Sequence, residues 1–366
     1  MSAPRTEAPT ARITARLPRG LVLDHRPGHR PADAARVREA YDSGRFPRGP
    51  GPAAVVYRIA EGGHAQTGVL AEVAVDDYRT GRIRPHEATQ PERERRLTEF
   101  TELSGVEQMP VMLAHSPSPG LRSAIRRITA AEPDLDFGTE DGARHTAWIR
   151  QDGELARAVE QGIGGIEGAH IADGHHRMAA AEHYAARRRH LGPDHPAAFT
   201  LAALFPADEL RVFGYHRCVP VEGASAARLL DELTSLPVTA WWEQCATATP
   251  EPGVVVVRYG DETYRMGLRS SGAPGHVRGS LDVVTLDEEV LPALGASPTS
   301  CGSGAPEHCR YPAGAAVLLL AHPPTIEQIM AVSDAGLVMP PKSTWFAPKP
   351  EPGLFLRDLT GSPLGR

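Results

Sequence analysis

Asp173, Gly174, His175, His176 and Arg177 stand together in the run IADGHHRMAAAEHY, directly behind an apolar tetrapeptide. The pattern predicts a strand at Ala169–Ala172, a tight turn at Asp173 and Gly174, and a long helix from about His175 to His190, ended by Gly192 and Pro193. A helix start presents unpaired N–H groups and the positive end of the backbone dipole. With Arg177 and two imidazoles added, that point suits phosphate oxygens. The glycines between Gly162 and Gly168 would let backbone approach a ligand, and Ala179–Ala181 would let the helix pack closely on a sheet. Two other uses of these residues stay open. Asp173 can be a plain helix cap with the histidines at the surface. Alternatively His175, His176, His170 and Glu167 are dense enough for zinc, although neighbouring histidines at a helix start diverge and the HExxH spacing is absent.

A second group lies in IRPHEATQPERERR, where His86 and Glu87 occupy a loop before a helix that Pro91 opens. A carboxylate there can act as general base toward a hydroxyl, with His86 beside it. The competing use is helix capping, for which Thr89 is the better candidate. A third group is PPKSTWFAPK. The chain has 39 basic residues, and its only two lysines, Lys342 and Lys349, both fall in this segment. A lysine is a compact point charge and an arginine a wide planar fork, so the segment reads as a place where the fork would not fit. Its prolines restrict the backbone path of Lys342, Ser343, Thr344 and Trp345. Lys342 can neutralise a phosphate or carboxylate and Trp345 can wall a pocket, so these four are the candidate substrate-binding residues. A rigid segment packed on the core explains the same composition equally well.

The elements that must position these groups are a mixture of strands and helices without repeats, an α+β arrangement. Strands are expected at Ala53–Ile59, Thr67–Val75, Val111–Ala114, Trp148–Arg150, Phe199–Phe205, Val212–Val219, Ala315–Ala321 and Leu337–Met339, with a hairpin around Gly260 and Asp261. Helices are expected near Pro31–Tyr41 and at Pro91–Leu103, Leu121–Ala131, Gly153–Gln161, Ala224–Leu236, Leu281–Leu294 and Thr325–Ala335. Over 366 residues, 41% hydrophobic and 23% charged, the composition is that of a globular chain with about two structural units. A net charge of −6 and the lack of a helix-turn-helix pattern argue against a nucleic-acid partner. The strongest apolar run, Ala315–Ala321, is too short for a bilayer, and no membrane partner is expected. Cys218, Cys245, Cys301 and Cys309 form no CxxC pair and read as free thiols of a reducing cytoplasm, a Cys301–Cys309 bridge being the lesser alternative. The GxxxxGK[ST], GxGxxG and GxSxG motifs are missing, which disfavours P-loop, Rossmann and ordinary α/β-hydrolase sites.

Taken in order, GVLAEVAVDDYRTGRIRPHEAT, IADGHHRMAAAEHY, LDVVTLDEEVLPALG and VMPPKSTWFAPKPEPGLF resemble the domain-of-unknown-function family 1015, DUF1015, from about Gly68 to Phe355. The resemblance implies a ParB/sulfiredoxin-like core, a mixed sheet carrying the DGHHR strand-turn-helix, with additional α/β elaborations. Residues 1–52, rich in Pro, Arg and Gly with little periodicity, read as an irregular segment, and the division expected after it is a nucleotide-binding core 53–220 and a C-terminal α/β subdomain 221–366 that completes the site. The DGHHR turn and the histidine-glutamate loop are similar to those of free serine kinases, which phosphorylate L-serine with ADP or ATP. That likeness implies Glu87 as base, with His86 beside it, and Asp173, His175, His176 and Arg177, on the Gly174 turn, around the phosphoryl group. Mg²⁺ is expected with Asp173 as ligand. The segment before Gly68 looks shortened for this family, and 297–312 looks atypical. Two functions follow: a small-molecule kinase forming O-phospho-L-serine, or a nucleotide-binding regulator or adaptor without turnover. Oligomeric state is left open.

Overall fold

Alternating and β-branched apolar residues over Ala54–Glu61 and His64–Ala74 pair as an antiparallel hairpin, which is the centre of a large mixed sheet. The computed structural model describes residues 12–23, 33–43, 51–151, 153–221, 225–269, 277–296, 300–303 and 315–361. The chain divides into two units. The first comprises 1–85, 89–210 and 348–366, and the second 86–88 and 211–347. This division falls at 210 rather than 220, and it returns the last 19 residues to the first unit.

In the first unit the main sheet runs in the order Ile83–Arg84, Ala169–Asp173, Val111–His115, Phe199–Pro206, His64–Ala74, Ala54–Glu61, Arg144–Arg150, Leu135–Gly138, with Ala15–Arg16 also paired to His64–Ala74. Phe199–Pro206 is parallel to Val111–His115, while Ala169–Asp173 is antiparallel to it. The helices Pro119–Thr129 and Gly153–Gly164 bury Leu121, Ile125, Ile128, Val159 and Ile163 against Val56, Val69 and Leu113 of the sheet. A small sheet of Leu21–Leu23, Phe355–Asp358 and Val106–Glu107 completes the unit. Its Arg357, 1% exposed, is ion-paired to Glu72 at 3.0 Å and to Glu107 at 2.8 Å, which anchors the C-terminal strand.

The second unit is a six-stranded antiparallel sheet, ordered Thr239–Cys245, Glu262–Leu268, Val254–Tyr259, Ala316–Leu320, Tyr215–Pro220, Ser300–Ser303. Leu229, Leu233, Leu286 and Val290 cover its apolar face. The architecture is α+β with mixed pairing, as expected.

Several elements differ from expectation. The helix after the DGHHR turn ends at Ala186, because Tyr184 is its last buried residue and the Arg187–His190 run has no apolar side chain to bury; a separate 3₁₀ turn follows at Arg189–Leu191. Leu281–Leu294 is interrupted by a π-helical turn at Leu286–Val290. Val212–Val219 divides at Gly214 into two strands, and Leu337–Met339 forms only an isolated bridge. Gly162 lies inside the Gly153–Gly164 helix, where an added Cβ would come within 2.9 Å of Leu121; helix packing, rather than approach to a ligand, accounts for it. Among the described residues Cys218 and Cys245 are free thiols, and Cys309 lies outside them. No helix among the described residues is long and apolar enough to cross a membrane.

Candidate active site

Within the first unit, strand pairing sets Asp173 in place. Ile171 faces Leu113 and Asp173 faces Met112, so one extra residue, Ala172, bulges out of the ladder just before the turn. Such bulges re-aim the side chain that follows them. Gly174 has φ +100° and caps the helix His175–Ala186. A Cβ on Gly174 would stand 2.8 Å from the Arg177 guanidinium, so the position demands glycine both for its backbone and for its neighbour.

Arg177 Nη2 donates to Asp173 Oδ2 at 2.5 Å, and its Nη1 donates to the Pro110 carbonyl. Lys349 Nζ approaches the other carboxylate oxygen, Asp173 Oδ1, at 2.5 Å. One carboxylate therefore holds two cations, each about a quarter exposed or less, at the mouth of a helix N-terminus. Burial pulls the Arg177 guanidinium below its ordinary pKa, and Asp173 opposes that pull. The Lys349 segment is fixed on both sides. Gln66 Nε2 donates to the Pro348 carbonyl at 3.1 Å, the Tyr57 hydroxyl accepts from the Glu351 N–H at 3.2 Å, and Gly353 N–H donates to the Gln108 carbonyl at 2.7 Å.

His175 is buried. His176 Nε2 accepts from the Gln90 N–H at 3.0 Å, tying the helix start to the cap of the Pro91–Ser104 helix. Arg177 also borders a cavity of about 260 Å³ whose other walls include Phe100, Met109, Ala180, Ala181 and Tyr184. The small side chains at Ala180 and Ala181 leave that space open beside the helix.

The second unit carries the other candidates. His86 is 1% exposed, with Nε2 2.9 Å from Thr344 Oγ1, and its carbonyl accepts from the Met339 N–H at 2.8 Å. Glu87 is bridged in parallel to Met339. The structure thus brings the histidine-glutamate loop and the PPKSTWF segment together. Lys342 has φ +58°, the one positive value outside glycine among the described residues. Its carbonyl accepts from Arg217 Nη1 at 2.8 Å, and Arg217 reaches the Pro341 carbonyl at 3.3 Å. Arg217 is itself paired through two 2.7 Å bonds to Asp287, in the π-helical turn. The Lys342 ammonium lies 5.3 Å from the centre of the Tyr215 ring, which Trp345 meets edge-on.

Ser343 is 2% exposed and donates to the Pro340 carbonyl at 2.6 Å, and Thr344 Oγ1 lies 2.9 Å from His86 Nε2, so both side chains hold the loop. Lys349, Arg217, Asp287 and Tyr215 were not among the expected site residues. The rarity of lysine pointed at Lys349, whereas a single arginine inside YHRCVP gives no local sign of its buried partner.

A family model described as "Protein of unknown function (DUF1015)" matches residues 21–284. No curated protein matches the chain. Among solved structures the chain is similar to SbnI with C-terminal truncation from Staphylococcus aureus, with 16% identity, 76% of this chain and 82% of that one covered, and a TM-score of 0.41. It is also similar to a mutant free serine kinase in complex with ADP, with 15% identity, 78% and 92% covered, and a TM-score of 0.35. A conserved hypothetical protein from Pyrococcus furiosus shows 14% identity, 78% and 94% covered, and a TM-score of 0.33.

Proposed function

This chain belongs to the DUF1015 family of proteins of unknown function, and we propose that it moves a phosphoryl group from ATP or ADP to the hydroxyl of free L-serine, or of a similar small hydroxylated amino acid, giving O-phospho-L-serine. One observation carries the reading: Asp173 with Arg177 on one oxygen and Lys349 on the other, at the half-buried start of a twelve-residue helix. Two cations against one carboxylate, added to the positive end of a helix dipole, make a seat for an anion. The cavity beside Arg177 offers apolar walls for the remainder of a nucleotide.

Phosphoryl transfer needs mainly positioning and charge neutralisation. In this reading Gly174, His175, His176 and Arg177 hold the phosphates with Lys349. Glu87 is the general base, positioned by the His86–Thr344 contact, and Lys342 and Trp345 bind the amino acid. The bond from the transferred phosphorus to the bridging nucleotide oxygen breaks, a bond from that phosphorus to the serine hydroxyl oxygen forms, and the hydroxyl proton passes to Glu87. The shorter nucleotide leaves with the bridging oxygen. Mg²⁺, which such reactions ordinarily use, does not fit Asp173 as the turn stands, since each carboxylate oxygen already faces a cation; no step is assigned to it.

The test is incubation with ATP or ADP, Mg²⁺ and L-serine, read by phosphorus NMR. Phosphoserine is expected. Glu87→Gln should lower turnover by about 10²–10⁴ while nucleotide affinity stays nearly constant. Full turnover in that variant would remove Glu87 from the mechanism. Saturable nucleotide binding without product over a range of hydroxyl substrates would favour the regulator instead.

A further inference from the structure

Residues 281–295, the stretch LDVVTLDEEVLPALG, form a helix that widens into a π-helical turn at Leu286–Val290. The cause lies just beyond that turn. Pro292 has no N–H to offer the Glu288 carbonyl, and its ring would press on that carbonyl in a regular helix. The Leu291 N–H bonds instead to the Leu286 carbonyl, five residues back. Turns of this kind are frequent at functional sites. This one delivers two consecutive carboxylates to two arginines. Asp287, buried, accepts from Arg217 Nε and Nη2 at 2.7 Å each, and Arg217 donates onward to the Lys342 carbonyl at 2.8 Å and the Pro341 carbonyl at 3.3 Å. Glu288, half-exposed, accepts from Arg278 Nη1 at 3.0 Å, and Arg278 Nε donates to the Val338 carbonyl at 2.7 Å.

One helical turn thus grips the backbone of residues 338–342 at three carbonyls, through a buried arginine and a half-exposed one. What the grip holds is Lys342 at φ +58°, a backbone that lysine rarely adopts unaided. Its ammonium lies 5.3 Å from the centre of the Tyr215 ring, and among the described residues no carboxylate pairs with it. Reversal of that φ would re-aim the Cα–Cβ bond and carry the ammonium off the ring. A cation held in one place without a neutralising partner is a fixed point for an anionic group. We infer that Arg217 and Asp287, backed by Arg278 and Glu288, are positioning residues that hold the Lys342 ammonium where it meets the carboxylate of the amino-acid substrate. The inference rests on the reading of Lys342 as a substrate-binding residue, and it gives the LDEEVLP stretch a role in that site.

Two readouts on the full chain test it. The chain has only two lysines, so labelling lysine Cε with ¹³C gives two methylene signals, which Lys342→Met assigns. The Lys342 ε-methylene protons should be displaced upfield by the Tyr215 ring, and Tyr215→Leu should abolish the displacement. Asp287→Asn should abolish it too, with the Lys349 signal unmoved. Glu288→Gln should reduce it, and this variant carries the test should an unpaired buried Arg217 unfold Asp287→Asn. In the phosphoserine assay Asp287→Asn should raise the Michaelis constant for L-serine at least tenfold and leave that for the nucleotide unchanged. In a Lys342→Met background it should add nothing further, which a merely structural role would not give. A Lys342 signal that neither variant moves, or an equal rise in both backgrounds, would overturn the positioning role. Should the native chain form no phosphoserine, the kinase reading falls, and the ring displacement, which needs no turnover, still decides whether the pair positions Lys342.

Discussion

Asp173 shows what a single side chain does here. It neutralises part of a cationic cluster and, in doing so, holds Arg177 and Lys349 at a fixed separation. Gly174 is the residue on which that arrangement turns. Gly174→Ala places a Cβ at φ +100° and drives it against Arg177. The backbone strain should cost about 1–2 kcal/mol of stability, and the displaced guanidinium should weaken nucleotide binding. Gly81 provides the comparison. It has φ +79°, and nothing lies within 4 Å of its added Cβ. Gly81→Ala should lose a similar amount of stability by urea denaturation and keep its nucleotide affinity. Equal affinity losses in the two variants would mean that Arg177 is not the reason for the glycine.

At the level of elements, the Pro340–Phe346 loop is held in a conformation its sequence does not favour. Lys342 adopts a left-handed backbone, and the buried Arg217–Asp287 pair grips the carbonyls of Pro341 and Lys342 from below. Strain of this kind persists where surrounding structure over-determines it, commonly at functional sites. Lys342→Gly relieves it. That variant should keep or gain stability, by up to about 1 kcal/mol, while the Michaelis constant for the amino acid rises. A stability loss with unchanged kinetics would make Lys342 a structural residue only. This loop also marks the limit of sequence reading for the elements. The Pro91 helix, the 254–268 hairpin and the Thr325 helix with its capping box were legible because proline, turn and cap signals coincide with apolar periodicity. Leu135–Gly138 and Thr239–Cys245 were not, because both are edge strands with few buried side chains and the first is only four residues long. The bulge at Ala172 and the π-helical turn at Asp287 arise from pairing and packing, and a linear pattern does not record either.

At the scale of the molecule, distant segments meet because buried polar groups select them. Tyr57 accepts from the Glu351 N–H, and its hydroxyl lies 2.6 Å from His145 Nδ1. Burial lowers the His145 pKa from 6.5 to about 4, against a small opposing effect of Asp141. Between those values the unfolded chain binds the extra proton, so stability falls as pH drops below about 6.5 and this contribution is fully lost near pH 4, about 3 kcal/mol in all. Urea midpoints at pH 7 and pH 5 should differ in the native chain and differ much less in His145→Gln; an equal pH slope in both would exclude this histidine. The DGHHR strand-turn-helix was legible in the sequence because its parts are contiguous. Lys349, 176 residues away, joins it through a return of the chain that no local signal announces. The central claim is that this turn and Lys349 together seat a nucleotide phosphate, and calorimetric titration of ADP into the native chain and Lys349→Gln tests it most directly. The account requires saturable binding in the native chain and at least tenfold weaker binding in the variant; equal affinity in both, or no binding to the native chain, would contradict it.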